Sequence, residues 1–189
     1  MGVFKWVAVT YAIVLGLGVA RLLSAAVDVF RSRRHAQLDW IPFAWAGTLF
    51  LWQLQFWWAI IELPQIMQVW SLGDFLILLT LTLLLFVAAA LILPGDQMKP
   101  GDSLSKLFHQ DGRWALVCLS TYFLLAIFAD WFLWDQTPFS YFGALLFALA
   151  ALPILYLKIP SRRGQEILTI VFVVLSIWTA IELSPASYQ

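Results

Sequence analysis

Carboxylates and tryptophans occur together at the ends of several apolar segments of this sequence. The acids of this set are Glu62, Asp74, Asp130, Asp135 and Glu182, and the tryptophans are Trp57, Trp58, Trp131, Trp134 and Trp178. A carboxylate beside an aromatic ring can hold a cation through its charge and through the ring face. The pattern therefore predicts an acidic, Trp-rich face that binds or conducts cations. The alternative is an interfacial belt of tryptophans, with the acids as ordinary groups at helix ends.

Three polar side chains lie inside apolar segments, where an unpaired polar group is unfavourable. They are Gln53, Gln55 and Asp130, and the apolar segment continues beyond Asp130 to Trp134. Gln53 and Gln55 are two residues apart, so they point to different sides of a helix. We predict that the three line a pore or polar path. The alternative is that they only hold neighbouring helices together.

The two histidines are the other candidates for chemistry. His35 and His109, with Asp39 and Asp111 nearby in sequence, could form a metal or acid–base site. Their spacing matches no metal-ligand motif, and both are predicted in loops. The sequence thus predicts no catalytic residue and no metal site, and it identifies no cofactor.

The composition limits the class of protein that can position these residues. The chain has 189 residues, of which 62% are hydrophobic and 12% are charged, whereas a soluble domain carries about 25% charged residues. So much apolar surface needs lipid to cover it. The formal net charge is zero, so no overall field favours nucleic acid as a partner. We expect an integral membrane protein of a bacterial inner membrane, with the lipid bilayer as its surroundings.

Six apolar segments approach the roughly 20 residues that a membrane-spanning helix needs. They lie near 3–29, 42–63, 74–93, 114–134, 139–158 and 166–183. Asp74 stands at the expected N-cap of the third segment, and Pro153 should kink the fifth. The predicted fold is a bundle of six transmembrane helices forming a single domain, 1–189.

Basic residues are concentrated in the loops that follow the first, third and fifth segments. Arg31, Arg33, Arg34, Arg162 and Arg163 form the predicted basic anchor on the inner side. By the positive-inside rule, both termini face out. Because the second and sixth segments share an ending with Trp and Glu-Leu, the bundle could consist of three helical hairpins related by a pseudo-axis.

Small residues recur every four positions on two of the predicted helices. The first helix carries Ala12, Gly16, Ala20 and Ser24, and the fifth carries Ala144 and Ala148. Small faces let helix backbones approach closely in lipid. We expect these residues to pack helices inside the bundle, and the alternative is a face for dimerisation.

Three functional hypotheses follow from these features. The first is a small channel or transporter for ions or small solutes, assembled as a homo-oligomer, in which the polar residues converge on one path. The second is a non-catalytic subunit or ligand-sensing module of a larger membrane complex. The third is an intramembrane enzyme that uses His35 and His109, which requires the two rings to lie within reach of each other.

Overall fold

The computed structural model describes residues 2–66, 71–96, 98–134 and 137–183, and these are almost entirely helical. The six long helices are α1 (Gly2–Arg31), α2 (Trp40–Ile66), α3 (Leu72–Ile92), α4 (Arg113–Trp134), α5 (Tyr141–Lys158) and α6 (Arg162–Leu183). Each predicted apolar segment coincides with one of them. No strand occurs in the described ranges, apart from an isolated bridge between Gln37 and Ser103.

Five helical stretches are long and apolar enough to cross a membrane. They are Trp6–Arg34, Leu72–Ile92, Leu104–Leu133, Tyr141–Lys158 and Arg162–Leu183. Helix α2 has 27 residues, but its tryptophans and two glutamines lower its hydropathy. A bundle with at least five helices suited to a bilayer is thus confirmed, while the sixth span and the direction of insertion stay predictions.

Helix α2 is enclosed by its neighbours. The contacts run from α1 to α3, then to α4, α5 and α6, and α6 returns to α2, which also packs on α1 and α3. Trp45, Leu49 and Gln53 of α2 are fully buried. Each predicted hairpin pair is in contact, but α1 packs more extensively on α3 than on α2, and α5 packs more extensively on α4 than on α6, so the hairpins are not separate units.

The two ends of the bundle differ in composition. We call the end that carries Trp57, Trp58, Trp131 and Trp178 the Trp-rich end. The opposite end, with the loops 32–39, 98–112 and 159–161, is the basic end. Its first two loops are joined by backbone hydrogen bonds, from the Gln37 N–H to the Asp102 carbonyl at 2.9 Å and from the Leu104 N–H to the Gln37 carbonyl at 3.0 Å.

Helix α3 begins earlier than the sequence predicts. Its N-cap is Ser71, whose hydroxyl accepts from the Asp74 N–H at 3.1 Å, while the Asp74 carboxylate accepts from the Ser71 N–H at 2.9 Å. The prediction of Asp74 as the N-cap is therefore wrong. The residue instead completes a capping box as the third residue of the helix.

The small-residue row of α1 lies at the surface of the bundle. Ala20 and Ser24 are exposed, Ala12 is half-buried, and a Cβ added to Gly16 would meet no atom within 4 Å. The buried face of α1 is formed by larger residues, among them Tyr11 and Leu15. On α5, Ala144 is likewise exposed and Ala148 is half-buried. Close packing of these rows against a second chain stays a prediction.

Candidate functional site

A cavity of about 600 Å³ opens in the Trp-rich half of the bundle, between α2, α3, α4 and α5. Most of its wall is apolar, and the polar side chains that reach it are few. The residues that line it include Trp52, Gln55, Phe56, Leu78, Leu81, Tyr122, Ala126, Asp130, Thr137, Ser140, Phe142, Gly143 and Leu146. This combination of apolar walls and a few convergent polar groups is typical of small-molecule sites.

Asp130 lies one turn before the end of α4 and is half-buried. Tyr122 and Ala126 precede it at intervals of four residues, so the three share one face of the helix. That face lines the cavity, whereas Phe128 and Trp131 are exposed on the outer side of α4. The helix therefore directs one carboxylate into the cavity.

The two glutamines of α2 point to different sides of the helix. Gln55 lines the cavity beside Trp52 and Phe56. Gln53 is fully buried on the side of α1, where a Cβ added to Gly18 would lie 2.5 Å from its Nε2. Neither polar atom of Gln53 has a hydrogen-bond partner in the described part of the chain. The structure thus brings Gln55 and Asp130 to one cavity, and places Gln53 elsewhere.

A tight turn at the start of α5 forms the mouth of the cavity. Ser140 caps this helix, and its hydroxyl accepts from the Gly143 N–H at 3.1 Å. A Cβ on Gly143 would collide with the carbonyl oxygen of Pro138. Only glycine therefore fits where α5 meets this turn, and the turn brings Thr137 and Ser140 to the cavity.

Between the cavity and the basic end, apolar side chains fill the core of the bundle. Leu49, Leu85 and Leu119 lie about one turn closer to the basic end than the cavity residues of the same helices, and all three are fully buried. Phe123 is fully buried next to the cavity floor and meets the Trp52 ring edge-on, with 4.9 Å between the centroids. The cavity thus ends on a packed layer near the middle of the bundle.

The other acids of the predicted acidic face do not line this cavity in the described part of the chain. Asp74 is held in the capping box of α3, and Glu182 is exposed. The side chain of Glu62 and the whole of Asp135 lie outside the described residues. Among the acids of the predicted set whose side chains the structure describes, Asp130 is the one that reaches the cavity.

The tryptophans of the predicted face lie at the bundle surface. Trp57, Trp58 and Trp131 are exposed. Trp178 is half exposed, and its Nε1 donates to the Tyr141 hydroxyl at 3.0 Å, joining α6 to α5. The side chain of Trp134 lies outside the described residues. Exposed tryptophans at one end of a helical bundle match an interfacial belt.

The histidines at the basic end have separate partners. His35 Nε2 lies 2.8 Å from the Met98 carbonyl oxygen, whereas His109 Nε2 lies 3.4 Å from Gln165 Nε2. No group of three or more histidine, cysteine or acidic side chains in the described ranges could hold a metal ion. The contacts of both histidines tie loops to the bundle.

An ion pair at the basic end was not foreseen from the sequence. Arg162, predicted as part of the basic anchor, binds Asp39 with two nitrogens, one of them 2.8 Å from Oδ1, and donates to Glu166 at 2.9 Å. Burial acts to raise the pKa of Asp39, but hydrogen bonds from Arg162 and from the Ile41 N–H outweigh it, so the pKa of this carboxyl lies below its usual value. The other predicted anchor residues, Arg31, Arg33, Arg34 and Arg163, are exposed.

Tyr122, Thr137 and Ser140 line the cavity but are absent from the predicted site. The sequence spacing could have indicated Tyr122, because this residue precedes Asp130 by eight residues and so lies on the same helical face. Thr137 and Ser140 precede α5 in a loop, and their approach to Asp130 depends on how α4 and α5 pack. No sequence spacing indicates that Thr137 and Ser140 line the same cavity as Asp130.

Comparisons of the chain with models of protein families, with curated proteins and with solved structures find no match. The class of protein therefore follows from the helices alone. The described residues form an all-helical bundle, and five of its helical stretches are long and apolar enough to span a membrane, as in an integral membrane protein.

Proposed function

We propose that this protein is a membrane transporter that binds a small solute in the cavity between α2, α3, α4 and α5. The observation that carries the proposal is the meeting of Asp130 and Gln55, from two different helices, in one cavity with apolar walls. A polar group inside a membrane bundle is energetically unfavourable, and such groups are retained mainly where they serve a function. An acid in this position is therefore a candidate for function by default.

The packed layer beneath the cavity favours a carrier over an open channel. Leu49, Leu85, Leu119 and Phe123 fill the middle of the bundle, and an open channel requires a continuous polar path. A carrier instead binds its solute near the middle of the membrane and changes conformation to release it on the other side. The cavity is then the binding site in one of these conformations.

The distribution of basic residues supports an orientation for this carrier. The basic end holds Arg31, Arg33, Arg34, Arg162 and Arg163, so the positive-inside rule places it in the cytoplasm. The cavity then opens to the outside, and both termini lie outside as well. In a bacterium this arrangement suits an inner-membrane protein that takes up a solute.

The proposal is tested by uptake into proteoliposomes that contain the purified protein. Choline, phenylalanine and glucose form a suitable labelled panel, since all three cross lipid slowly and they differ in charge. We expect uptake of at least one above that of protein-free vesicles, and a drop of about tenfold in the Asp130→Asn variant. Glu182→Gln is the matched control, because Glu182 is an exposed acid at the same end. Absence of uptake of all three by the wild type, together with absence of saturable binding of 4-phenylbutylamine, contradicts the proposal.

The second candidate function is that of a subunit or ligand-sensing module in a larger membrane assembly. It is favoured by the exposed small-residue row of α1, where Gly16 has open space beside it and Ala20 and Ser24 are exposed. Such rows support close helix contacts in lipid. Native mass spectrometry of protein released gently from its membrane separates the cases. A homo-oligomer fits the transporter, and a stoichiometric foreign polypeptide fits the subunit.

A further inference from the structure

We infer that the solute of this cavity is an amphiphilic cation, consisting of one primary ammonium group on an aromatic or branched apolar body. The inference rests on the proposed function and specifies its substrate class. It follows from the charge of the cavity, from the distribution of polar groups along its depth and from its size.

The charge that the described residues give the cavity is that of a single carboxylate. Among the described residues that line it, Asp130 is the charged one, and no lysine, arginine or histidine faces it. A carboxylate in a largely apolar cavity is costly to leave unpaired, so a ligand that brings one positive charge is favoured over a neutral or anionic one.

Three of the polar side chains lie near the mouth, and Gln55 lies deeper, within one turn of Trp52 on α2. Asp130 lies near the end of α4, and Thr137 and Ser140 precede the first turn of α5. They supply carboxylate and hydroxyl oxygens, which accept hydrogen bonds. An ammonium group has three N–H donors and suits such acceptors, whereas a quaternary ammonium group has none.

Apart from Gln55 and the hydroxyl group of Tyr122, the deeper part of the cavity is apolar and partly aromatic. Tyr122 precedes Asp130 by eight residues, which corresponds to a depth of about 12 Å along α4. At this level the wall includes Trp52 and Leu81, and flat aromatic surfaces favour an aromatic partner. The ammonium group therefore lies at the mouth and the apolar body below it.

The size of the cavity limits the ligand. A volume of about 600 Å³ lies in the middle of the range for sites that enclose small organic molecules. A phenylalkylamine with a short chain fits the depth between Asp130 and Tyr122, and its ring reaches the aromatic wall.

The test uses the full-length protein in lipid nanodiscs and three probes with the same body. They are 4-phenylbutylamine, which is cationic at pH 7, 4-phenylbutanol, which is neutral, and 4-phenylbutanoate, which is anionic. Binding is measured by titration calorimetry, with empty nanodiscs subtracted to remove partition into lipid. We expect saturable binding of the amine at least tenfold tighter than that of the alcohol, and no saturable binding of the anion.

Two variants, Asp130→Asn and Ala126→Phe, test whether the probes bind in this cavity, and Glu182→Gln is the control. Asp130→Asn is expected to weaken amine binding about tenfold and to leave the alcohol unchanged, while Glu182→Gln leaves both unchanged. Ala126→Phe, which places a ring in the cavity, is expected to abolish binding of both amine and alcohol. Thermal unfolding of each variant shows whether it is folded, and the Ala126→Phe result also stands if Asp130→Asn fails to fold.

Equal affinity for amine and alcohol, or amine binding that survives both variants, overturns the inference. Equal affinity for amine and alcohol, with binding of both lost in Ala126→Phe, overturns the substrate class alone and leaves a solute-binding cavity. If the wild type binds none of the probes but takes up a member of the uptake panel, the substrate class is wrong and the transporter stands. If neither binding nor uptake occurs, both proposals fail.

Discussion

The indole Nε1 of Trp52 donates a hydrogen bond to the hydroxyl of Ser176, 3.3 Å away. Seven residues earlier on both helices, Trp45 makes the same kind of contact with Thr169 at 3.2 Å. Equal steps on the two partners mean that α2 and α6 run parallel with their contacting faces in register. Since Trp52 also lines the cavity, α6 positions one wall of the candidate site from behind.

Ser176→Ala is expected to lower the free energy of unfolding by about 1 kcal/mol, because it leaves the buried indole N–H of Trp52 without its acceptor. In a Trp52→Phe background the same substitution should have much less effect. The measurement is a double-mutant cycle by unfolding in mixed micelles. Trp57→Phe, which changes an exposed indole, is the control. Equal effects of Ser176→Ala in both backgrounds would show that the hydrogen bond contributes nothing.

Gly143→Ala should disturb the mouth of the cavity, because the added methyl group meets the backbone of Pro138. Overpacking of this kind typically costs about 1–3 kcal/mol, and solute uptake should fall with it. Both are measurable, the first by thermal unfolding and the second in proteoliposomes.

Gly47→Ala is the matched control for this substitution. Gly47 is exposed within α2, and a methyl group there meets no atom within 4 Å. Alanine in a helix interior is favoured over glycine by about 1 kcal/mol, so stability should stay equal or rise. If both variants behave alike, the close approach of Gly143 to Pro138 is not a constraint.

The ion pair between Asp39 and Arg162 predicts a dependence of stability on pH. Because the pKa of Asp39 is lower in the folded than in the unfolded protein, the pair stabilises the fold above about pH 4, the ordinary pKa of an aspartate. The stabilisation is lost as the pH falls through the folded pKa.

Asp39→Asn is therefore expected to destabilise the protein at pH 7 and to have a smaller effect at pH 3. Arg162 is partly exposed, so the loss at pH 7 should be only about 1 kcal/mol. Unfolding measured at both pH values tests this, with Arg163→Gln, an exposed neighbour, as the control. A loss that is equal at the two pH values would contradict a role for the charge.

Parts of this architecture could be predicted from the sequence because they depend on local signals. Apolar segments of about 20 residues locate the helices, and Asp74 marks the first turn of a helix although it is not the N-cap. It was harder to predict which face of each helix is buried, because residues that meet lipid are as apolar as those in the core. Hydropathy therefore could not show that Ala20 and Ser24 of α1 are exposed while Tyr11 and Leu15 are buried.

The candidate site depends on contacts between helices, which no local pattern encodes. Gln55 and Asp130 are conspicuous as polar residues in apolar segments, but their arrival at one cavity depends on how α2 and α4 pack. The partners Asp39 and Arg162 are 123 residues apart, and each alone resembles an ordinary loop charge. The sequence thus indicates candidate residues and leaves their combination open.

The orientation of the bundle predicts the behaviour of fusion proteins. With the basic end in the cytoplasm, a C-terminal alkaline phosphatase fusion should be active and a C-terminal green fluorescent protein fusion dark. Fusions placed after Lys99, in a loop of the basic end, should show the reverse. A fluorescent C-terminal fusion would show that the opposite orientation is correct, and the cavity would then open to the cytoplasm.

Gln53→Leu is expected to raise the free energy of unfolding by about 1–3 kcal/mol, because it removes a fully buried amide that has no hydrogen-bond partner in the described part of the chain. Leucine is close to glutamine in size and suits the contact with Gly18. Solute uptake should be unchanged, since Gln53 does not line the cavity.

Gln55→Leu is the matched variant two residues away, and it should reduce uptake, because it removes a polar group from the cavity wall. Thermal unfolding and uptake, measured on both variants, give a two-by-two comparison. Loss of uptake in Gln53→Leu with normal stability would mean that this amide belongs to the solute path in another conformation of the carrier.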